Sequence, residues 1–358
     1  MTISQGSTAT LEATRADLHA KLRGIVPEAE LELKAELAYS INTLKAERGA
    51  VILGHNYMEP ALFHSVCDFT GDSLELCRVA AQTKANPIIF CGVRFMAETA
   101  KILNPERTVL LPARRAGCSL AESISAADVR GLRTRYPGAP VVAYINTYAD
   151  VKAEADICCT SGNAARIVNA LDAEQIIFLP DEYLAQNVAR ETGKSIIFPS
   201  SGPVAGHTKD SAASDGMHYD VVGWNGRCEV HEKFTVDDIV SVRNQFPEVV
   251  VLAHPECSPA VVDAADFSGS TSAMSDYIRD SGASQYLLLT ECSMGDNIAA
   301  EAPEKNMLRL CSVRCPHMNE ITLEHVLTAL REDREQIDVP EEIRVRARVA
   351  IDRMLELS

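Results

Sequence analysis

The chain has 358 residues, a formal net charge of −16 and a hydrophobic fraction of 46%. That length allows two or three domains with ample core, and the acidity argues against nucleic acid or an anionic membrane as the main partner. No apolar run reaches the roughly 18 residues that a membrane span needs. The first 30 residues carry Glu12, Arg15 and Asp17 and no apolar export segment, so the expected location is cytoplasmic. Eleven cysteines in such a chain point to metal binding or redox chemistry rather than a disulfide framework.

Residues 8–47 show helical periodicity in two stretches, LEATRADLHAKLRG and AELELKAELAYSINTLKAE. A pattern then recurs three times. An apolar strand ends in a polar ring-bearing residue: VILGHNY with His55, VVAYINT with Tyr144 and VVVLAHPE with His254. A serine or threonine stands 17 or 18 residues on, at Ser73, Ser161 and Thr271. Second strands PIIFCG, QIIFLPD and QYLLLTE follow, and then third strands RTVLLP, KSIIFP and NMLRLC, so each copy reads βαβαβ. SAADVRGLRTRYPG and TVDDIVSVRNQFPE precede copies two and three, opening at Ser125/Asp128 and Thr235/Asp238 with capping-box spacing. ITLEHVLTALRED resembles them but precedes no strand, and is expected to pack back on the first copy.

These elements predict an α/β protein of three similar αβα domains in pseudo-threefold arrangement. The expected divisions are a helical segment 1–40, a first domain 41–117 on which 318–358 packs, a second domain 118–230 and a third 231–317. The second copy carries an insertion at about 200–224, rich in Gly, Ser, Asp and Ala. It reads either as a lid-like loop or as a surface insertion without a role.

Cysteines close the three copies at Cys118, Cys228 and Cys315, the middle one late. Ser119 and Glu122 have capping-box spacing after Cys118, and arginines neighbour all three, which favours thiolate. Cys67, Cys77, Cys91, Cys158 and Cys159 sit in apolar periodic segments and read as small buried hydrophobes. Three thiolates suit three irons of a [4Fe–4S] cluster with an open fourth iron. A closed zinc site is the rival, with Cys311, His317 or His231 as fourth ligand. The second constellation lies at the strand ends: His55 and Tyr57, Tyr144 and Asn146, His254 and Glu256. Ser73, Ser161, Ser270 and Thr271 fall at or near helix starts, where amides and hydroxyls suit carboxylate or phosphate. Singly each reads as an N-cap; their recurrence favours a site for a substrate with several anionic groups.

GHNYMEP, GDSLEL, GVRFMAETAKIL, CSL, AYINT, CTSGNA, CEVHEKF, AHPEC, GSTSAM and CPHMN occur in order between about residues 45 and 320. Together they resemble the quinolinate synthase family. The resemblance implies three αβα domains around one [4Fe–4S] cluster per chain, held by Cys118, Cys228 and Cys315. It implies condensation of iminoaspartate with dihydroxyacetone phosphate to quinolinate, phosphate and water, in de novo NAD biosynthesis. It also implies substrate contacts at His55, Ser73, Tyr144, Ile145, Asn146, Ser161, His254, Pro255, Glu256 and Thr271. Glu256 is then the leading acid–base residue, assisted by Tyr57, His231 and Tyr144. An aspartate-oxidising enzyme is the implied supplying partner, because iminoaspartate is unstable in water. An iron–sulfur sensor and a zinc-stabilised metabolite-binding protein are the alternatives.

Overall fold

The structure, a computed structural model, describes residues 10–199, 219–308 and 313–358. Most of the expected insertion, residues 200–218, lies outside the described residues, as does Cys311. The fold is α/β, with three parallel sheets flanked by helices. The chain divides into two compact units, residues 1–116 with 275–338 and residues 117–274 with 339–358.

The first unit opens with helices α1 (Leu11–Leu22) and α2 (Glu28–Arg48). The Thr10 hydroxyl accepts from the Ala13 amide to start α1, and Gly49 at φ 61° ends α2. The expected boundary at residue 40 thus falls inside α2. Then come β1 (Val51–His55), α3 (Pro60–Ser65), β2 (Phe69–Gly71), α4 (Ser73–Gln82), β3 (Ile88–Cys91), α5 (Arg94–Leu103) and β4 (Val109–Leu110). The strand order is β2-β1-β3-β4, all parallel. VILGH and IIFC are buried along their whole length, as strands of a sheet covered on both faces must be.

The second unit carries α6 (Ser119–Glu122), α7 (Ala126–Arg135), β5 (Val141–Tyr144), α8 (Ala149–Lys152), β6 (Ile157–Cys159), α9 (Ala164–Ala170), β7 (Ile176–Leu179), α10 (Glu182–Thr192), β8 (Ile196–Ile197) and β9 (Val221–Val222). A 3-10 turn at His231–Lys233 leads into α11 (Val236–Gln245), β10 (Val250–Ala253), α12 (Pro259–Ala264) and β11 (Phe267–Ser268), with α13 (Thr271–Asp280) next. The first unit resumes with β12 (Gln285–Leu289), α14 (Cys292–Glu301), β13 (Asn306–Leu308), a 3-10 turn at Met318–Glu320 and α15 (Leu323–Glu332). β10 pairs with β11 and β12 with β13, both parallel. Helix α16 (Glu341–Glu356) belongs to the second unit.

Three features differ from the sequence expectation. Each copy has an extra short helix and edge strand after its first strand: α3 and β2, α8 and β6, α12 and β11. Segments of two or three strand residues are too short to show a period. In the second copy, β9 rather than KSIIFP pairs with β7, and β8 lies outside β9 in the order β6-β5-β7-β9-β8. The strand equivalent to β4 is therefore Val221–Val222. Finally, α15 packs against α2 and β3, but α16 packs against α8 and β6 of the second copy, not on the first. Its apolar stripe of Ala347, Ala350, Ile351 and Met354 is buried there.

One device recurs in all three copies. An aspartate ahead of the edge strand accepts from an amide of the first strand: Asp68 from Ile52 at 2.8 Å, Asp156 from Val141 at 2.7 Å and Asp266 from Val251 at 2.8 Å. A cation from the preceding helix pairs with each: Lys45, Arg133 and Arg243. The aspartate thereby satisfies an amide that the strand ladder leaves over. Asp156→Ala is expected to lower unfolding free energy by about 1–3 kcal/mol, the cost of an unsatisfied amide, read by urea titration.

His64 on α3 stacks edge-on against Phe63 at 4.9 Å. Burial, and then the Lys21 charge, lower its pKa from 6.5 to about 4. The folded ring stays neutral where the unfolded ring binds a proton. Stability is therefore lost as pH falls from 6.5 towards 4. His64→Phe is expected to flatten that limb of the urea-midpoint profile relative to wild type.

Candidate active site

In both complete strand orders the chain leaves the first strand to one side and returns to the other, so the carboxyl ends of β1 and β3, and of β5 and β7, flank a switch point. Open parallel sheets bind ligands in that crevice. His55 ends β1, Tyr144 ends β5, and His254 directly follows β10.

In the second unit these ends build one buried network around Glu256, which is 3% exposed. Tyr144 Oη donates to Glu256 Oε1 at 2.5 Å, and Asn146 Nδ2 donates to the same oxygen at 3.2 Å. His231 Nδ1 lies 2.8 Å from Glu256 Oε2 and 3.2 Å from Cys228 Sγ. The His231 ring stacks on His254 with centroids 4.5 Å apart. Burial works to raise the Glu256 carboxyl, but the His231 charge and hydrogen bond, the His254 charge and Tyr144 Oη together hold it well below the usual carboxylate range. Glu256 is thus an ionised carboxylate in a dry setting. Asn146 Oδ1 is buried without a protein partner among the described residues, an acceptor available to a ligand donor.

Ser161 lies in the turn after β6, and a Cβ added at the neighbouring Gly162 would meet the Ser270 side chain at 3.4 Å. The turn after β6 therefore abuts the start of α13. Ser270 Oγ accepts from the Ala273 amide at 3.3 Å, which leaves Thr271, 3% exposed, as the first helical residue. Ile145 is buried, and Pro255 stands between His254 and Glu256.

In the first unit, the Tyr57 amide donates to His55 Nδ1 at 3.2 Å, and in the second the Glu256 amide donates to His254 Nδ1 at 3.3 Å. The same local turn fixes both rings and, in the neutral form, puts the proton on Nε2. Tyr57 Oη and Thr290 Oγ1 are 2.5 Å apart. At α4 the cap is Asp72, whose carboxylate accepts from the Leu74 and Glu75 amides at 3.0 Å. Ser73 is the residue just inside that cap.

Cys118, Cys228 and Cys315 are unbridged and half-buried, whereas Cys77, Cys91, Cys158, Cys159 and Cys257 are buried. Cys67 was expected with the buried set and is half-exposed instead. The three thiols stand eight, six and seven residues beyond the ends of β4, β9 and β13. Once β9 is recognised as the equivalent strand, Cys228 is no longer late. Gly226 makes its approach possible, because a Cβ there would lie 2.5 Å from both Pro180 O and Ser123 Oγ. Burial, then the Glu256 charge, push the Cys228 thiol well up, and the neighbouring Cys118 adds to this. A bound metal cation would reverse that preference and hold Cys228 as thiolate.

Two expectations about these thiols are corrected. Ser119 and Glu122 form no capping box, since Cys118 is itself the N-cap residue of the four-residue α6. The neighbouring arginines are engaged by acids: Arg114 with Glu335, Arg227 with Glu182 and Arg314 with Asp296. Sequence reasoning also missed two buried acids that follow second strands, Asp181 after β7 and Glu291 after β12. Burial, then the Glu256 charge, push Asp181 well up. Burial pushes Glu291 up to about 7 against the Ser293 amide and the Arg314 charge. The signal was present as FLPDE and LLLTE, where the acid directly follows an apolar strand.

A repeated parallel α/β fold thus brings a buried carboxylate, two imidazoles and a phenol together beside a half-buried thiol, and the ligand atoms of Cys228, His231 and Glu256 are close enough that they could hold a metal ion. The family model described as Quinolinate synthetase A protein (NadA) matches residues 39–356. The chain is 49% identical over 346 residues to quinolinate synthase 2 of Mesorhizobium japonicum, covering 97% of this chain and 99% of the relative. It is 48% identical to quinolinate synthase of Agrobacterium fabrum, covering 98% and 94%. To the Xylella fastidiosa (strain 9a5c) quinolinate synthase it is 50% identical, covering 89% and 86%. The chain belongs to the quinolinate synthetase A family.

The Glu256–His231 contact sets an expectation for stability. His231→Leu leaves a buried carboxylate without its partner and is expected to cost about 3–5 kcal/mol at neutral pH. Adding Glu256→Gln to that variant should recover most of the loss in urea unfolding; no recovery would show that the charge is not the cause.

Proposed function

We propose that the chain is a quinolinate synthase that condenses iminoaspartate with dihydroxyacetone phosphate to quinolinate, phosphate and water, in NAD biosynthesis. The observation that carries this reading is Glu256, buried and held by Tyr144, Asn146 and His231 in a chain of this family.

Cys118, Cys228 and Cys315 would hold a [4Fe–4S] cluster, which supplies Lewis-acid polarisation of a substrate oxygen or nitrogen when bound. The chain's own residues do the rest. Glu256 takes a substrate proton as general base, and Tyr144 Oη and His231 Nδ1 hold its two oxygens and carry the proton onward. Ser161 and Thr271 offer hydroxyls and amides to anionic groups, with Ser73 in the equivalent place of the first copy. Asn146 Oδ1 accepts from a substrate donor, and His254, stacked on His231, closes the wall with Pro255 and Ile145. His55 and Tyr57, held by their turn and by Thr290, serve the first copy in the same way.

The three repeats are proposed as three αβα domains in pseudo-threefold arrangement, with limits near residues 41, 118 and 231. A cytoplasmic setting and transient delivery of iminoaspartate by an aspartate-oxidising enzyme follow from the same reading. No helix among the described residues is long and apolar enough to cross a membrane. A second reading has one observation in its favour. Ligand atoms of Cys228, His231 and Glu256 lie within 4.8 Å of one another, a mixed donor set that a zinc ion could use in a metabolite-binding protein.

Anaerobically purified protein is expected to form quinolinate from the two substrates, and Glu256→Gln to lower turnover by about a hundredfold or more with iron and sulfide retained. Full turnover in Glu256→Gln removes it from the mechanism. Absence of quinolinate with iron-replete wild type overturns the proposed activity.

A further inference from the structure

The loops that present the site residues are held by side chains outside the site itself, Asn297 and Lys152 buried and Asn187 half-buried. In the second unit, Asn187 Nδ2 donates to Pro255 O at 2.8 Å and to Cys257 O at 3.0 Å. In the first unit, Asn297 Nδ2 donates to Asn56 O at 3.1 Å and to Met58 O at 2.9 Å. The correspondence is complete in register. Pro255 and Cys257 are one and three residues beyond His254, and Asn56 and Met58 are one and three beyond His55. Each asparagine is the sixth residue of the helix after a second strand, α10 or α14.

The first copy has no amide at that place. The sixth residue of α5 is Thr99, whose hydroxyl donates to Phe95 O within its own helix. The loop after β5 is instead met by Lys152 of α8, fully buried, whose Nζ donates to Thr147 O. Thr147 is again three residues beyond the strand-end ring, Tyr144. A different side chain thus serves the same carbonyl.

These donors are poor choices for stability alone. Asn187 Oδ1 and Asn297 Oδ1 are both buried without a protein partner among the described residues, and Lys152 buries an ammonium. Both arrangements carry a desolvation cost that an apolar side chain would avoid. What they gain is a fixed path for the two-residue step between the clamped carbonyls, and that step carries Glu256 in one loop and Tyr57 in the other. A side chain held at a productive geometry reacts far faster than one that samples many.

We propose that Asn187, Asn297 and Lys152 are positioning residues, which clamp the loops of His254–Glu256, His55–Tyr57 and Tyr144–Asn146 through a common backbone carbonyl. The catalytic consequence rests on the proposed quinolinate synthase reading; the clamp itself does not.

The test is peptide-resolved amide hydrogen exchange on the full chain, with quinolinate kinetics in parallel. Asn187→Leu keeps the volume and removes the donor. It is expected to speed exchange about tenfold, the loss of one to two hydrogen bonds, in the peptide over 254–258 and not in that over 55–59. Asn297→Leu is expected to do the converse. Asn187→Asp, which keeps the shape and exchanges donor for acceptor, serves if the leucine variant fails to fold. Where wild type is active, kcat should fall about tenfold or more with KM within about threefold. Exchange unchanged in the matched loop, or raised equally everywhere, overturns the clamp. Faster exchange in the matched loop with unchanged kcat in an active enzyme overturns its positioning role. If wild type forms no quinolinate, the function reading fails and the exchange pattern alone decides the clamp.

Discussion

A carboxylate buried to 3% exposure is tolerated only where its charge is answered, and Glu256 meets that condition with hydrogen bonds from Tyr144 and Asn146 and a close His231. The constraint reaches outward. Tyr144 must end a strand beside Glu256, so the first strand of the second copy and the loop after the first strand of the third must meet. His231 must reach both Glu256 and Cys228, so the turn that presents the thiol is tied to the acid–base centre. The same contacts that keep Glu256 ionised also orient both of its oxygens.

The repeat supplies what such a centre needs by using the same means more than once. Parallel strands with a reversal in their order bring the carboxyl ends of the central strands to a crevice. The aspartates Asp68, Asp156 and Asp266 satisfy equivalent strand amides, and the turns at His55–Tyr57 and His254–Glu256 fix their imidazoles through the same amide contact. The copies diverge in the side chains at matched positions. Glu256 stands where the first copy has Tyr57, and Lys152 meets the loop that no asparagine serves. The two added acids, Asp181 and Glu291, start equivalent helices, α10 and α14, and are both pushed up by burial. The Glu256 charge adds to burial in pushing Asp181 up.

Much of this was legible in the sequence. VILGH, VVAY, IIFC and IIFL declare themselves as parallel strands because both faces must be buried, and the capping boxes at Ser125 and Thr235 formed as their spacing implied. The grouping of Tyr144, Asn146 and Glu256 was legible because polar residues recur in register at the ends of the first strands. The edge strands were not, since two or three residues carry no period. Val221–Val222 escaped because KSIIFP is the stronger apolar run; its placement outside β9 depends on sheet pairing, which local propensity does not encode. Helix α16 lies beyond ITLEHVLTALRED, the last helix read from the sequence, and its docking on α8 and β6 is set by tertiary fit. Asp181 and Glu291 follow apolar strands in FLPDE and LLLTE, but their burial depends on packing that the local sequence does not carry.

We propose that the thiols closing the three repeats, Cys118, Cys228 and Cys315, hold one iron–sulfur group. Anomalous diffraction at the iron and zinc edges, on crystals of protein purified and grown without oxygen, tests it most directly. The account predicts about four iron positions, as a [4Fe–4S] cluster requires, bonded to the sulfurs of Cys118, Cys228 and Cys315, with His231 and Glu256 still hydrogen-bonded to each other. A single zinc position bonded to Cys228, His231 and Glu256 would contradict it.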